Sequence, residues 1–265
     1  MLSSPFKIMG IVNLTEDSFS DGGLYFKSRN ALKRIEKLQK EGADIIDLGA
    51  ESTRPGAKKI PLEEEWSRLK TILDFLEKKN SKSIKISIDT RKPEIARRVI
   101  DYDIKMINHI AEEPFEDNLL KKLAEKNISY LGMHIYKNPE TMQNQPLSSK
   151  ESLLSVEYFF QKSSERLTNL GFKAESIWLD PGIGFGKSIE ANLLLMKQVR
   201  EYSKKYNILM GISRKSWIEK IFKIKNPLER EPVSKITELM LTFLGAQMIR
   251  THDVGALAKL RDYTL

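Results

Sequence analysis

Polar side chains stand at the end of nearly every apolar segment that the sequence predicts to be a strand. These residues are Asn13, Asp47, Asp89, Asn108, His134, Asp180, Lys215, Arg250 and His252. A single aspartate in such a place usually caps the next helix, but capping does not explain a polar residue after nearly every strand. Carboxylates and an amide beside a lysine suit a flat heterocycle with N–H donors and a carbonyl, and an arginine with a histidine suits a diphosphate. The residues predict a pocket for a heterocycle carrying an anionic leaving group, and they leave the ring unidentified.

The most distinctive of these strand ends is residues 178–188, W-L-D-P-G-I-G-F-G-K-S. It has a carboxylate at Asp180, then Pro181, then three alternating glycines. Two nucleotide motifs fail here, because G-x-G-x-x-G needs glycine at position 187 and the phosphate loop needs glycine at position 181. One interpretation is a loop whose glycines let the backbone approach a bound molecule. The alternative is a tight turn from strand to helix.

Several catalytic chemistries are excluded by residue type and spacing. The chain has no cysteine, so thiolate metal sites and cysteine nucleophiles are ruled out. Its three histidines are too scattered for a zinc site of the H-E-x-x-H kind. The segment G-I-S-R-K is not a nucleophile elbow, because Lys215 stands where that motif needs its second glycine.

The elements that must position these side chains alternate regularly between strand and helix. Strands are predicted at 7–14, 43–50, 84–89, 105–110, 128–135, 176–180, 207–212 and 247–252, with helical stretches between them. Eight such units predict a closed (β/α)8 TIM barrel, whose active site lies at the C-terminal ends of the strands; an open doubly wound sheet is the alternative. No interior linker resembles a domain boundary, so residues 1–265 are predicted to form a single domain, with 137–150 as a long loop.

Composition narrows the classes of partner. The formal net charge of +8 raises the possibility of nucleic-acid binding, but the lysines lie among glutamates and no basic run is interleaved with aromatics. We therefore expect no nucleic-acid partner, and a basic excess that steers small anionic substrates. No apolar run approaches the roughly 18 residues of a membrane helix, and M-L-S-S-P-F-K has no apolar signal core, so we expect a cytoplasmic protein without a membrane partner.

The strand-end motifs resemble those of the dihydropteroate synthases, in order and over nearly the whole chain. The matching segments are M-G-I-V-N-L-T-E-D-S-F-S-D-G-G, D-L-G-A-E-S-T-R-P-G-A, S-I-D-T-R-K-P-E, H-I-Y-K-N-P-E-T-M-Q, L-D-P-G-I-G-F-G-K, G-I-S-R-K-S and R-T-H-D-V. Members of this family condense 6-hydroxymethyl-7,8-dihydropterin pyrophosphate with p-aminobenzoate in folate biosynthesis, releasing diphosphate. The resemblance therefore implies a transferase of this kind, inhibited by sulfonamides, and we expect a homodimer.

The resemblance also implies three groups of binding residues. The pterin site would comprise Asp89, Asn108, Met133, Asp180 and Lys215. The diphosphate site would comprise Asn13, Arg250 and His252, with Asn13 also a ligand to Mg²⁺. The p-aminobenzoate site would comprise Thr53, Arg54, Pro55, Phe185 and Ser216. Phe19 and Asp21 would belong to one mobile loop and residues 53–56 to a second, and both loops order over bound substrates in the family.

The implied mechanism is dissociative. Diphosphate leaves, a pterin cation forms, and the amine of p-aminobenzoate attacks the exocyclic carbon; the catalytic residues would be Asp89, Asp180, Lys215, Arg250 and His252. No enzyme nucleophile is needed, which agrees with the absence of a nucleophile motif. Two alternatives remain open: a pterin-binding methyltransferase on the same barrel, which lacks S-T-R-P-G and S-R-K-S, and a barrel that binds without catalysis.

Three positions depart from the family pattern. Glu16 stands where proline is usual, and His109 where aspartate is usual. We expect both to lie near the barrel mouth and to affect loop closure and the response to pH. The segment R-E-P-V-S-K-I replaces the common R-L-x-G-S-L, and we expect it to touch only helix packing and the oligomer surface.

Overall fold

Strands and helices alternate in a computed structural model that describes residues 6–14, 24–52, 59–79, 83–110, 114–137, 142 and 144–264. The strands are β1 (Lys7–Asn13), β2 (Ile45–Gly49), β3 (Ile86–Asp89), β4 (Met106–His109), β5 (Ser129–Met133), β6 (Ile177–Asp180), β7 (Asn207–Met210) and β8 (Met248–Thr251). The helices are α1 (Leu24–Lys40), α2 (Leu62–Lys78), α3 (Pro93–Val99), α4 (Asp117–Glu125), α5 (Ser149–Asn169), α6 (Ile189–Tyr202), α7 (Ser216–Phe222), α8 (Glu231–Phe243) and α9 (Val254–Thr264). Among the described residues, no helix combines the length and the apolar character that a membrane crossing requires.

The sheet closes on itself. Each strand pairs in parallel with the next, and β8 pairs with β1, with Met9 opposite Arg250. The predicted (β/α)8 barrel is therefore confirmed, and the open doubly wound sheet is excluded. Most strands are shorter than the apolar segments that predicted them, because those segments continue past the last ladder hydrogen bond into the loops at either end.

The barrel interior is filled by an apolar layer that carries a polar layer above it. The apolar layer consists of Met9, Ile45, Met106, Leu131, Trp178, Leu209 and Met248. Side chains alternate between the two faces of a strand, so the residue two positions further along each strand also points inward. Those next positions hold Ile11, Asp47, Asn108, Met133, Asp180, Gly211 and Arg250. The strand period therefore places most of the predicted site directly on top of the apolar layer.

Helices cover the outside of the barrel with their apolar faces. In α2, the buried residues Leu69, Ile72 and Leu73 lie at helical spacing and face the sheet. Three consecutive glutamates in its first turn place negative charge at the positive end of the helix dipole. At the start of α5, Ser148 and Glu151 form a capping box, which ends the predicted loop 137–150.

The glycines after β6 serve close packing between protein segments. Gly182 and Gly186 have φ of +68° and +69°, in the left-handed region. A Cβ at Gly182 would lie 1.8 Å from the carbonyl oxygen of His134, and one at Gly186 would lie 2.5 Å from that of Tyr136. These two glycines thus let the loop pack against the backbone that follows β5, which corrects the interpretation that they admit a bound molecule.

Replacing Gly182 with alanine is expected to destabilise the fold far more than replacing Gly184. Both glycines have positive φ, so each substitution incurs a conformational cost of about 1–2 kcal/mol. At Gly184 the new Cβ would meet only the flexible Lys215 side chain, at 3.5 Å, whereas at Gly182 the backbone itself must move. Urea denaturation of Gly182→Ala and Gly184→Ala measures the difference. Equal losses would contradict the packing argument.

Candidate active site

A buried polar cluster lies at the C-terminal mouth of the barrel. The side chains of Asp47, Asp89, Asn108 and Asp180 are buried there. They come from β2, β3, β4 and β6, and they converge because the C-terminal ends of parallel barrel strands meet at one face. Four sequence-distant polar residues therefore share one site.

Arg250 is the cation at the centre of this cluster. Its Nε donates to Asp47 Oδ2 at 2.6 Å, and its Nη2 donates to Asp89 Oδ2 at 2.9 Å. Asn108 Nδ2 also donates to Asp47 Oδ2, at 2.9 Å. One planar guanidinium thus holds two buried carboxylates in a fixed geometry. Asp47 had no place in the family-derived sets, although its position at a strand end identifies it in the sequence.

The pKa of Asp89 is shifted by burial and by its charged neighbours. Burial raises the pKa of this carboxyl to about 7, Arg250 opposes the rise, and the negative charges of Asp47, Glu65 and Glu51 add to it. The carboxylate form accepts the hydrogen bond from Arg250 and can accept a further N–H group.

Asp180 lies across the barrel mouth from Asp89, beside a space that Gly211 leaves without a side chain. Gly182 N donates to Asp180 Oδ1 at 2.7 Å. Burial raises the pKa of Asp180, and Lys215 opposes the rise. A Cβ at Gly211 would lie 3.5 Å from Asp180 Oδ2 and 3.8 Å from Arg250 Cβ. Gly211 therefore keeps the wall between these two charged groups clear of a side chain, which suits a flat ring.

Lys215 reaches this wall from the loop after β7. Its Nζ donates to the carbonyl of Ile183 at 2.6 Å and lies 4.7 Å from the centroid of the Phe185 ring. Burial lowers the pKa of Lys215 to about 8; Asp180 opposes that shift and Arg250 adds to it. The ammonium is thus held by the Ile183 carbonyl over the Phe185 ring, within electrostatic range of Asp180.

A second lysine, Lys187, holds the loop after β6 through its backbone carbonyls. Lys187 is buried, and its Nζ donates to the carbonyls of Gly182 and Phe185 at 2.9 Å each and of His134 at 3.4 Å. Burial lowers the pKa of Lys187 to about 7. This ammonium cross-links the loops after β5 and β6. Sequence reasoning missed its role, and the local motif contains no signal for it.

His252 is held in place from two sides. Its Nδ1 lies 3.0 Å from Ser213 Oγ, which also accepts from the His252 backbone N–H at 3.3 Å. Arg34 of α1 donates from Nη2 to the His252 carbonyl. The histidine follows Arg250 by two residues, so both lie toward the same mouth.

The remaining candidate residues divide into two groups. Asn13 ends β1 and is partly exposed, Met133 is buried opposite Asp180 in the β5–β6 ladder, and Ser216 is exposed at the start of α7. The candidates that lie outside the described residues, together with the departure at Glu16, are Phe19, Asp21, Thr53, Arg54 and Pro55.

His109 does not face the mouth, which corrects the expectation for this position. Its neighbour Asn108 points inward, so His109 points outward, where its ring lies 3.9 Å from that of Phe115 and its Nδ1 is paired with the Tyr130 hydroxyl. Burial lowers the pKa of His109 to about 3. The histidine is thus a neutral core residue. His134 is similar, with Nε2 2.8 Å from Ser155 Oγ.

The segment 230–236 also departs from its expectation. Arg230 Nη1 donates to the Arg214 carbonyl at 3.0 Å, and the Arg214 backbone N–H donates to Ser234 Oγ at 3.0 Å. The segment therefore contacts the loop that carries Lys215, and the expectation that it touches only helix packing and the oligomer surface was wrong.

We expect His109 to make the fold less stable in mild acid. Its folded pKa lies below the unfolded value of about 6.5, so its contribution is complete above pH 6.5 and is lost as pH falls toward 3. As the pH falls through this window, the free energy of unfolding of the wild type should decrease by up to about 1.4 kcal/mol per pH unit more than that of the His109→Phe variant. Urea denaturation at pH 7, 6 and 5 checks this, with His134→Gln as a second variant of the same kind. Parallel curves for wild type and His109→Phe would contradict a neutral His109.

Comparison with known proteins gives a consistent result. Residues 9–252 match the family described as pterin binding enzyme. The dihydropteroate synthase of Synechocystis sp. is 38% identical over 255 residues, which cover 96% of this chain and 87% of that protein.

Two solved structures share the whole architecture. The Xanthomonas albilineans dihydropteroate synthase with 4-aminobenzoic acid has a TM-score of 0.87 and 30% identity, covering 98% of this chain and 92% of that one. The Yersinia pestis dihydropteroate synthase in a sulfonamide drug complex has a TM-score of 0.85 and 31% identity, covering 98% of this chain and 94% of that one.

Proposed function

The chain belongs to the pterin-binding enzyme family, and we propose that its barrel mouth carries out the dihydropteroate synthase reaction. In this reaction 6-hydroxymethyl-7,8-dihydropterin pyrophosphate and p-aminobenzoate give 7,8-dihydropteroate and diphosphate. The observation that carries the proposal is the convergence of Asp89, Asn108, Asp180 and Lys215 around the wall that Gly211 leaves open.

The pterin ring is recognised by groups of both signs. The carboxylates of Asp89 and Asp180 accept N–H groups of the ring, and the Lys215 ammonium donates to its carbonyl side. Both carboxyls have a raised pKa because they are buried. A positive charge that develops on the pterin favours their ionised forms, so the stabilisation is larger in the transition state than with the neutral substrate.

The leaving diphosphate is bound by Arg250 and His252. Arg250 is already oriented by Asp47 and Asp89, so its position does not depend on the substrate. A guanidinium offers bidentate contact to phosphate oxygens. The negative charge that accumulates as the C–O bond breaks is therefore met by a preorganised cation.

The described residues fit a magnesium ion that arrives with the diphosphate. They contain no group of three or more His, Asp or Glu that could hold a metal by themselves. Mg²⁺ commonly takes one or two protein oxygens and completes its shell with substrate phosphates and water. The partly exposed amide of Asn13 at the mouth would supply the protein oxygen. When bound, the ion would neutralise charge on the leaving group.

The second substrate enters over the loop after β6. Phe185 is half-buried with its ring beneath Lys215, and Ser216 is exposed at the start of α7. The ring of p-aminobenzoate packs on Phe185, and its amine attacks the exocyclic carbon of the pterin cation. The nitrogen then loses its proton to solvent. The contributions of Thr53, Arg54 and Pro55 remain predictions, as do those of Phe19 and Asp21.

Diphosphate release that depends on p-aminobenzoate tests this function. The Asp180→Asn variant should bind a pterin about tenfold to a hundredfold more weakly, since it loses a charge-assisted acceptor worth about 1.5–3 kcal/mol. Calorimetry measures the binding. The exposed Asp101, at the opposite end of the barrel, supplies the control Asp101→Asn. A sulfonamide should raise the apparent KM for p-aminobenzoate without lowering kcat.

Two outcomes would contradict the proposal. Transfer of a methyl group without diphosphate release would indicate the methyltransferase alternative. Tight pterin binding with no turnover would indicate a barrel that binds without catalysis. Normal pterin affinity in Asp180→Asn would remove this residue from the site.

We also propose that the protein is a cytoplasmic homodimer. Helix α8 presents Ile236, Met240 and Phe243 on one face, with exposed fractions of 64%, 60% and 50%. Leu228, just before the helix, is 66% exposed. Contiguous exposed apolar residues on a helix favour contact with another protein surface, and a twofold axis lets the same face serve both subunits.

A charge placed in this face should dissociate the dimer. The Met240→Glu variant should sediment as a monomer at concentrations where the wild type is a dimer, because the carboxylate would be buried against apolar residues. Tyr158 on α5 is 65% exposed and outside the patch, so Tyr158→Glu is the matched control. Dissociation by the control alone would assign the interface to another face.

A further inference from the structure

The residue before Lys215 has a strained backbone. Arg214 has φ of +58°, in the left-handed region, although it is not a glycine. A residue with a Cβ adopts this conformation at an energetic cost, and it persists only where the surroundings enforce it. The surroundings of Arg214 should therefore contain groups that hold its two peptide units.

Two buried residues at the start of α8 supply those groups. Ser234 Oγ accepts from the Arg214 N–H at 3.0 Å, and Arg230 Nη1 donates to the Arg214 carbonyl at 3.0 Å. Ser234 Oγ donates in turn to the Arg230 carbonyl at 2.9 Å. Ser234 is 0% exposed and Arg230 is 5% exposed. The backbone N–H and the carbonyl of Arg214 are thus both held by residues of the same turn.

Arg230 is itself fixed by three further bonds. Its Nε donates to the Ile224 carbonyl at 2.9 Å, and its Nη2 donates to Glu219 Oε2 at 2.5 Å and to the Lys225 carbonyl at 2.6 Å. These partners lie in α7 and in the turn after it. The guanidinium therefore ties the beginning of α8 to α7 and to the loop after β7.

The left-handed turn at Arg214 aims the residues on both sides of it into the site. Lys215 follows as the N-cap of α7, with Nζ 2.6 Å from the Ile183 carbonyl oxygen and 4.7 Å from the Phe185 ring centroid. Ser213 precedes it and contacts His252 Nδ1 at 3.0 Å. An extended conformation at position 214 would redirect one of these two side chains.

We propose that Arg230 and Ser234 are positioning residues for the reaction, which hold Arg214 left-handed so that Lys215 faces the pterin and Ser213 supports His252. The inference rests on the proposed function, because it requires Lys215 to contact the pterin. Neither residue touches the site itself, and both belong to the segment that we had expected to affect only helix packing and the oligomer surface.

Backbone rescue tests this role. Arg214→Gly and Arg214→Ala remove the same side chain and the same ion pair with Glu231, but only glycine adopts positive φ without cost. We expect both variants to bind a pterin diphosphate within about threefold of wild type, because Ser234 and Arg230 still hold the backbone and alanine has the same left-handed cost as the arginine that it replaces. Ser234→Ala should instead bind about tenfold more weakly. Combining Ser234→Ala with Arg214→Gly should restore most of that loss, whereas combining it with Arg214→Ala should not.

Calorimetry on each variant gives the affinity, and urea denaturation gives its stability. If Ser234 acted only by stabilising α8, glycine at position 214 would not restore affinity to Ser234→Ala, and the proposal would be overturned. Equal affinities in the wild type and all five variants would also overturn it. A wild type that binds no pterin would instead refute the proposed function. Lys223→Gly, at a second left-handed residue at the end of α7, controls for added glycine and should leave affinity unchanged.

Discussion

The bridge from Arg250 to two buried carboxylates is the interaction on which the rest of the site depends. Asp47 and Asp89 lie inside the barrel, where an unpaired charge is costly, and one guanidinium reaches both of them. Without it, the two acids would repel each other across neighbouring strands. With it, both acids are held in one geometry, and the arginine is oriented in advance for the phosphate contact that we propose.

Burial also shifts the pKa values of several side chains in the site toward 7. The same desolvation raises the pKa of Asp89 to about 7 and lowers that of Lys215 to about 8. Burial makes the charged forms of these groups less favourable, so an oppositely charged group beside them is stabilising. In the reaction that we propose, a developing pterin cation and a departing diphosphate are the two charges that these groups would meet.

The loops at the mouth are held by contacts with one another. Lys187 connects the loops after β5 and β6 through three carbonyl groups, and Arg230 with Ser234 holds the loop after β7. These bonds run through backbone groups, so they constrain the direction of the chain as well as the side chains. The catalytic side chains then need little rearrangement when substrate binds, which lowers the entropic cost of binding.

The sequence by itself determined the (β/α)8 fold and most of the candidate site, because strand–helix alternation and the residues at strand ends are local patterns. Only the tertiary structure decided which of two adjacent residues points inward. Asn108 lines the mouth while His109 lies in the outer core, since barrel closure selects one face of each strand. Contacts between distant segments were equally hidden. Position 182 requires glycine because the carbonyl of His134 packs against it, and the turn at Arg214 is held by Ser234 of α8. No local pattern in the sequence relates the residues of either pair.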